Sequence, residues 1–253
     1  MNIDRCVIVG SGNSIRNGDD ITENKDLPLW NLIKNEFTLS ANFNYKWFVP
    51  SVHMFSDYQF YTTQKENLDK LPLLVSFRNG FYEHKDTRHL KGDNLYLVKP
   101  SSVYYGKDSW EKGFYSSQLV GIFMITFAVA LRCKQIFILG MDGCEINDRT
   151  HFYDKFDGTY IYNRHVYCGV GKDKREFYKT GNYNKINELN NVWYKPFKSI
   201  KDAKIFNVSP ESVIEIFPKI NYQEFYKTLK ENSQSINQDE IRQFIKDKIN
   251  VYK

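Results

Sequence analysis

At 253 residues, 42% hydrophobic and 26% charged, the chain has the length of one large domain, with or without a lid, and a composition that excludes a disordered protein. With 35 Lys and Arg against 30 Asp and Glu, the net charge is +5. That balance favours anionic ligands, but no Lys/Arg block is long enough to act as a nucleic-acid-binding arm.

Residues 5–9, RCVIV, make a continuous apolar run like that of a strand covered on both faces of a parallel sheet. Met1 to Arg5 lead directly into this run, so no secretory leader is expected. Gly10, Ser11 and Gly12 turn the chain straight afterwards. A strand that ends in glycines lets backbone N–H groups approach a phosphate with no Cβ in the way. The spacing G-S-G-N-S matches neither the dinucleotide-binding nor the P-loop pattern. Next come a short helix at 27–33, strands at 37–41 and 52–56, a helix at 58–70, and strands at 73–77 and 94–98.

Apolar side chains all round the circumference of residues 116–133 predict a buried helix, followed by a strand at 135–139 that Gly140 stops. Its apolar stretch, 119–131, is too short to span a bilayer. Between residues 142 and 183 the periodicity disappears, and this Tyr-, Asn- and Lys-rich stretch reads as a lid. A helix at 184–194, a strand at 204–208 and a short helix at 211–217 follow. In the tail, 221–253, two polar helices are expected, with Ser235 and Gln238 spaced as a capping box. Ile241, Phe244, Ile245, Ile249 and Tyr252 share one face, which suits packing on the body or on a sister subunit. A homo-oligomer and peripheral membrane contact both stay open.

The expected fold class is α/β, a Rossmann-like, mostly parallel sheet with helices on both faces. It would occupy residues 1–220, with the lid at about 143–183 and a C-terminal helical extension at 221–253. Cys6, Cys133, Cys144 and Cys168 include no CxxC pair. This argues against a zinc site and makes a reducing cytoplasm the simplest location, with or without contact at the inner membrane face.

Ligands of open α/β sheets bind beyond the carboxyl ends of the strands. The candidates for nucleotide contact are therefore Gly10, Ser11, Gly12 and Asn13 after the first strand, Asn42 after the second, Asp57 after the third, and Gly140 and Asp142 after the strand at 135–139. Ser116, Ser117 and Gln118 open the buried helix, whose first N–H groups suit an anion. In the lid, His151 and His165 are the candidate catalytic bases, Tyr153 and Tyr183 the phosphate contacts. Asn and Asp also favour strand-end turns for purely local reasons.

The segments VIVGSGNSI (7–15), SANFNY (40–45), IFILGMDG (136–143) and NVSPESVI (207–214) resemble the bacterial lipooligosaccharide sialyltransferases. They also resemble the related Rossmann-like group that holds motility-accessory glycosyltransferases and archaeal pterin pyrophosphokinases. The sialyltransferase resemblance implies a CMP-sugar donor on Ser11, Gly12, Asn13, Asn42 and Asp57, a glycan acceptor, and a mobile lid with phosphate-binding tyrosines and a histidine base. This chain departs from the pattern in two places. Ser11 stands where the family carries Asn, and Gly181-Asn182-Tyr183 where Gly-His-Ser is expected.

The expected activity is transfer from a CMP-sialic-acid-like donor to a surface glycan such as a lipooligosaccharide. No cofactor and no metal is required, since no D-x-D follows a strand, and nucleic acid is not a partner. Two alternatives remain. One is an ATP-dependent pyrophosphokinase-like enzyme in which Asp57 and Asp142 hold Mg²⁺. The other is a non-catalytic nucleotide-binding relative.

Overall fold

A computed structural model describes residues 3–20, 29–78, 90–116, 119–144, 152, 187–231 and 236–252. Among these residues the strands are β1 (Arg5–Val9), β2 (Phe37–Ala41), β3 (Val52–Met54), β4 (Leu74–Phe77), β5 (Leu95–Val98), β6 (Pro100–Ser101), β7 (Phe114–Tyr115), β8 (Gln135–Leu139) and β9 (Lys204–Asn207). Seven of them form one sheet in the order β5-β4-β3-β2-β1-β8-β9, while β6 and β7 pair by themselves. Every pairing is parallel. The order runs outward from β1 to β5 on one side and jumps to β8 on the other, so the winding reverses between β1 and β8. That is where a crevice opens in a doubly wound sheet.

The helices are α1 (Arg16–Asp20), α2 (Leu29–Ile33), α3 (Tyr58–Leu68), α4 (Ser109–Lys112), α5 (Val120–Ala130), α6 (Tyr222–Glu231) and α7 (Gln238–Val251). Alternation along the strands assigns them to two layers. Cys6, Ile8, Ile136 and Ile138 face a core that holds α5 and the Ile241, Ile245, Ile249 stripe of α7. Val7, Val9, Phe137 and Leu139 face a second core with α2, α3 and the Tyr222, Phe225, Tyr226, Leu229 stripe of α6. The two C-terminal helices thus cover opposite faces of the sheet. The chain is an α/β, Rossmann-like protein. No helix among the described residues is long and apolar enough to cross a membrane.

At the foot of the sheet the Arg5 guanidinium forms two bonds to Glu36, at 2.9 and 2.6 Å, and both residues are buried. Arg5 also donates to the Thr228 carbonyl, and Gln238 donates to the Glu36 carbonyl. The ion pair therefore joins β1 and the approach to β2 with both tail helices.

Several expected elements differ. The buried helix begins at Val120, not at 116, because Leu119 is extended (φ −111, ψ 123) and β7 draws residues 114–115 into pairing with β6. No helix forms at 211–217. There the Val213 N–H bonds the Asp142 carbonyl and the Glu215 N–H bonds Asn190 Oδ1, both distant in sequence, while the Ile214 N–H bonds the nearby Ser212 Oγ, so no helical ladder takes these groups. The helix expected at 184–194 is described only from residue 187 and closes as a π turn over Leu189–Trp193. The cap of α7 is Asn237, which accepts from the Glu240 N–H, and not Ser235, which lies outside the described residues. A reciprocal box caps α6, with Asn221 and Glu224 each accepting the other's backbone N–H. On the expected face of α7, Ile241, Ile245 and Ile249 are buried while Tyr252 is exposed.

Candidate functional site

At the reversal point the turns after β1 and β8 touch. The Gly10 N–H donates to the Leu139 carbonyl and the Gly12 N–H to the Gly140 carbonyl, each at 2.7 Å. A Cβ at Gly10 would stand 2.3 Å from Gly140 O, and one at Gly12 would stand 2.4 Å from Asp142 Oδ2. Gly140 is left-handed (φ +62), and its missing side chain leaves room for Ile15 Cδ1. The glycines are therefore fixed by the close approach of one protein loop to another, and the space a Cβ would fill is already occupied by protein. Gly12 itself has φ −63, a value alanine adopts freely, so Gly12→Ala tests the contact without backbone strain. Overpacking of this kind costs about 1–3 kcal/mol, and a urea titration is expected to show that loss with an unchanged m-value.

Asp142 ties three segments together. Its Oδ2 accepts the Ser14 N–H at 2.9 Å, and its Oδ1 accepts the Ser14 and Ser209 hydroxyls. Burial pushes its carboxyl above the ordinary range, against the pull of the bonds from Ser14 and Ser209. A second relay orders the first turn. Asn42, left-handed at φ 56, donates to Ser11 Oγ at 3.3 Å. Ser11 donates to Asn44 Oδ1, and the buried Asn44 amide donates to the Val9 and Gly10 carbonyls at 2.9 and 2.8 Å. Asparagine tolerates αL better than other residues with a side chain, which lets the chain turn sharply out of β2.

Above these loops lies a cavity of about 180 Å³, walled by Gly10, Ser11, Gly12, Asn42, Gly140 and Asp142. The start of α5 (Leu119, Val120, Gly121) closes one side, and Trp193 and Tyr194 close another. The first N–H groups of a helix have no partner within it and carry its positive end, so this side of the cavity suits an anion.

The structure brings together six of the residues chosen from sequence. Asn13 is buried in the turn that follows Gly12 and does not line the cavity. Asp57 caps α3, accepting the Phe60 N–H at 3.4 Å, and is not part of the wall. Ser116 is buried outside the helix it was expected to open, and its place at the cavity falls to Val120 and Gly121. Ser117, Gln118, His151, Tyr153, His165 and Tyr183 lie outside the described residues. Within the lid stretch Phe152 is described, and its N–H bonds the Ser11 carbonyl at 3.0 Å while its own carbonyl accepts from Arg16. Asn44, Ser14 and Ser209 belong to the site and were missed. Asn44 is signalled by the N-F-N repeat after β2, and Ser14 by the polar turn itself. Among the described residues no group of three or more His, Cys, Asp or Glu is placed to hold a metal ion.

No protein-family model and no curated protein matches the chain. Among solved structures it is similar to the sialyltransferase CstII from Campylobacter jejuni, described in complex with the substrate analogue CMP-3FNeuAc. The identity is 14%, the TM-score 0.46, and 86% of each chain is covered.

Proposed function

We propose that the chain is a glycosyltransferase that takes a nucleotide-activated sugar, CMP-linked and sialic-acid-like, and transfers the sugar to a glycan hydroxyl with inversion. The observation that supports this is the cavity itself, where two glycine turns, the Asn42–Ser11–Asn44 relay and the start of α5 meet at the reversal of the sheet. A wall of hydroxyl, amide and backbone groups suits a ribose and a phosphate, and a helix start stabilises the negative charge left on the departing nucleotide. At about 180 Å³ the cavity is smaller than the roughly 300–1,000 Å³ of whole-ligand sites. It would hold the phosphate and ribose, leaving the base and sugar at its rim. His151 or His165 would take the acceptor's proton.

The ATP-dependent reading needs free carboxylates for Mg²⁺. Asp142 accepts from Ser14 and Ser209, and Asp57 caps α3, so both have structural duties that compete with a metal.

Calorimetric titration with CMP, UDP and ATP tests the donor. CMP is expected to bind tightest, and without magnesium. A preference for ATP that EDTA abolishes would replace this reading with the pyrophosphokinase one. Loss of a general base lowers rate by roughly a hundred- to ten-thousand-fold. Donor hydrolysis should fall by that much in either His151→Ala or His165→Ala, and no change in either would leave a nucleotide-binding protein without these bases.

A further inference from the structure

A second, larger cavity of about 770 Å³ lies at the other end of α5, beside Val129 and the residues that lead into β8 and β9. The first cavity touches the opening turn of that helix and the second its last turn. Along the helix, Met124 of the first cavity and Val129 of the second stand five residues, about 8 Å, apart. The volume falls within the range of sites that enclose small molecules. Its floor is apolar, with Val129, Ile200 and Ala203, and the Tyr104 ring packs edge-on against Phe197 at 5.0 Å. Its rim carries Lys107, Arg132 and Lys201 against a single carboxylate, Asp202. None of those three side chains forms a hydrogen bond or ion pair with a described residue.

Arg132 is the informative one. It is left-handed (φ 60), the position after a helix where glycine is preferred because a Cβ is strained there. A cation at this point could be explained by capping the helix's carbonyls, but those are taken. Phe127 O accepts from the Leu131 N–H, Ala128 O from the Cys133 N–H, Val129 O from the Arg132 N–H, and Ala130 O from the Trp110 indole. The attraction of the helix dipole remains, and it applies to any cation nearby. A strained arginine whose guanidinium has no bond to a described residue, sharing the lining of this cavity with two lysines, suits an anionic ligand.

We propose that this cavity is a binding site for a small amphiphilic anion, a phosphate or carboxylate carried on a ring or short acyl body. The body would rest on Val129, Ile200 and Ala203, and the acid group would meet Arg132 with Lys107 and Lys201. The site is separate from the nucleotide cavity and does not depend on the glycosyltransferase reading.

The probe is 1-naphthyl phosphate, followed by calorimetry and by its fluorescence, with 1-naphthol and inorganic phosphate as the two halves. Naphthyl phosphate is expected to bind more tightly than either half and to be unaffected by saturating CMP. Arg132→Asn keeps a residue that accepts the left-handed backbone, and Lys201→Gln changes an exposed side chain. Each should weaken binding by roughly tenfold or more while leaving the melting temperature and CMP binding unchanged. No binding to the parent protein at millimolar concentration, equal binding of naphthol, displacement by CMP, or binding that persists in both variants would each overturn the proposal.

Discussion

Lowering the pH from 7 toward 3 is expected to destabilise the protein through one side chain, His53, by roughly 4–5 kcal/mol. His53 lies in β3 opposite Ser40 of β2, with no exposed surface. Its Nδ1 pairs with Ser40 Oγ at 3.0 Å, and Tyr45 and Phe60 pack on its ring at 5.6 and 6.2 Å. Nε2 is buried with no hydrogen-bond partner among the described residues. A charge on this imidazole would be fully desolvated, and burial lowers its pKa to about 3. The sign follows from the unfolded chain, where histidine titrates near 6.5. Above that pH neither state is protonated and the site contributes its full stability. Below it the unfolded chain binds a proton that the folded protein refuses, so stability falls steadily until about pH 3. His53→Gln keeps a polar partner for Ser40 and removes the titration. Urea midpoints of the variant should be lower than the parent's at pH 7, and that difference should shrink steadily as pH falls from 6.5 to 4. Parallel pH profiles would mean that the folded protein accommodates the charge.

His53 also marks what a sequence hides. The run VHM reads as a strand because its ends are clear, but nothing local says that its polar residue faces two aromatic rings in a core. The strands at 37–41 and 135–139 are legible to the residue, since the alternation of Phe37, Leu39 and Ala41 stops at Asn42 and the apolar run of residues 136–139 stops at Gly140. The start of α5 is not. Tyr115, in β7, and Leu119, with an extended backbone, are apolar as they would be in a helix, and periodicity cannot separate a buried strand end from a helix start. The Arg5–Glu36 pair joins residues 31 apart in sequence, beyond any local pattern. At 211–217 helical spacing loses to Ser212, which donates to the Met141 and Asp142 carbonyls and fixes the backbone in another course. The site itself was legible as a place, because strand ends in an α/β sheet converge. The reason for its glycines was not. From sequence they look like room for a phosphate, whereas the structure fills that room with Gly140 O and Asp142.

That exchange makes Asp142 the residue whose replacement should do most damage near the cavity. Asp142→Ala leaves the Ser14 N–H and the Ser14 and Ser209 hydroxyls without their acceptor inside a buried cluster. At about 1–3 kcal/mol for each unmet group, and with hydroxyls free to turn, the expected loss is about 3–5 kcal/mol. CMP binding should fail with it, because the turn that carries Gly12 is held by this side chain. Asp142→Asn separates geometry from charge. Its amide oxygen can accept the Ser14 N–H, and its NH₂ can donate to serine hydroxyls that turn to accept. Burial holds the Asp142 carboxyl above the usual carboxylate range, so the folded state favours the proton more than the unfolded chain does. Its contribution is complete below about pH 4 and is lost as pH rises through the folded value. The asparagine variant, which has no such loss, should gain on the parent protein as pH rises from 4 to 7 and retain CMP binding. If asparagine is as damaging as alanine at pH 7, the anionic form of Asp142 is required and the cluster is held by charge, not by shape and hydrogen bonding alone.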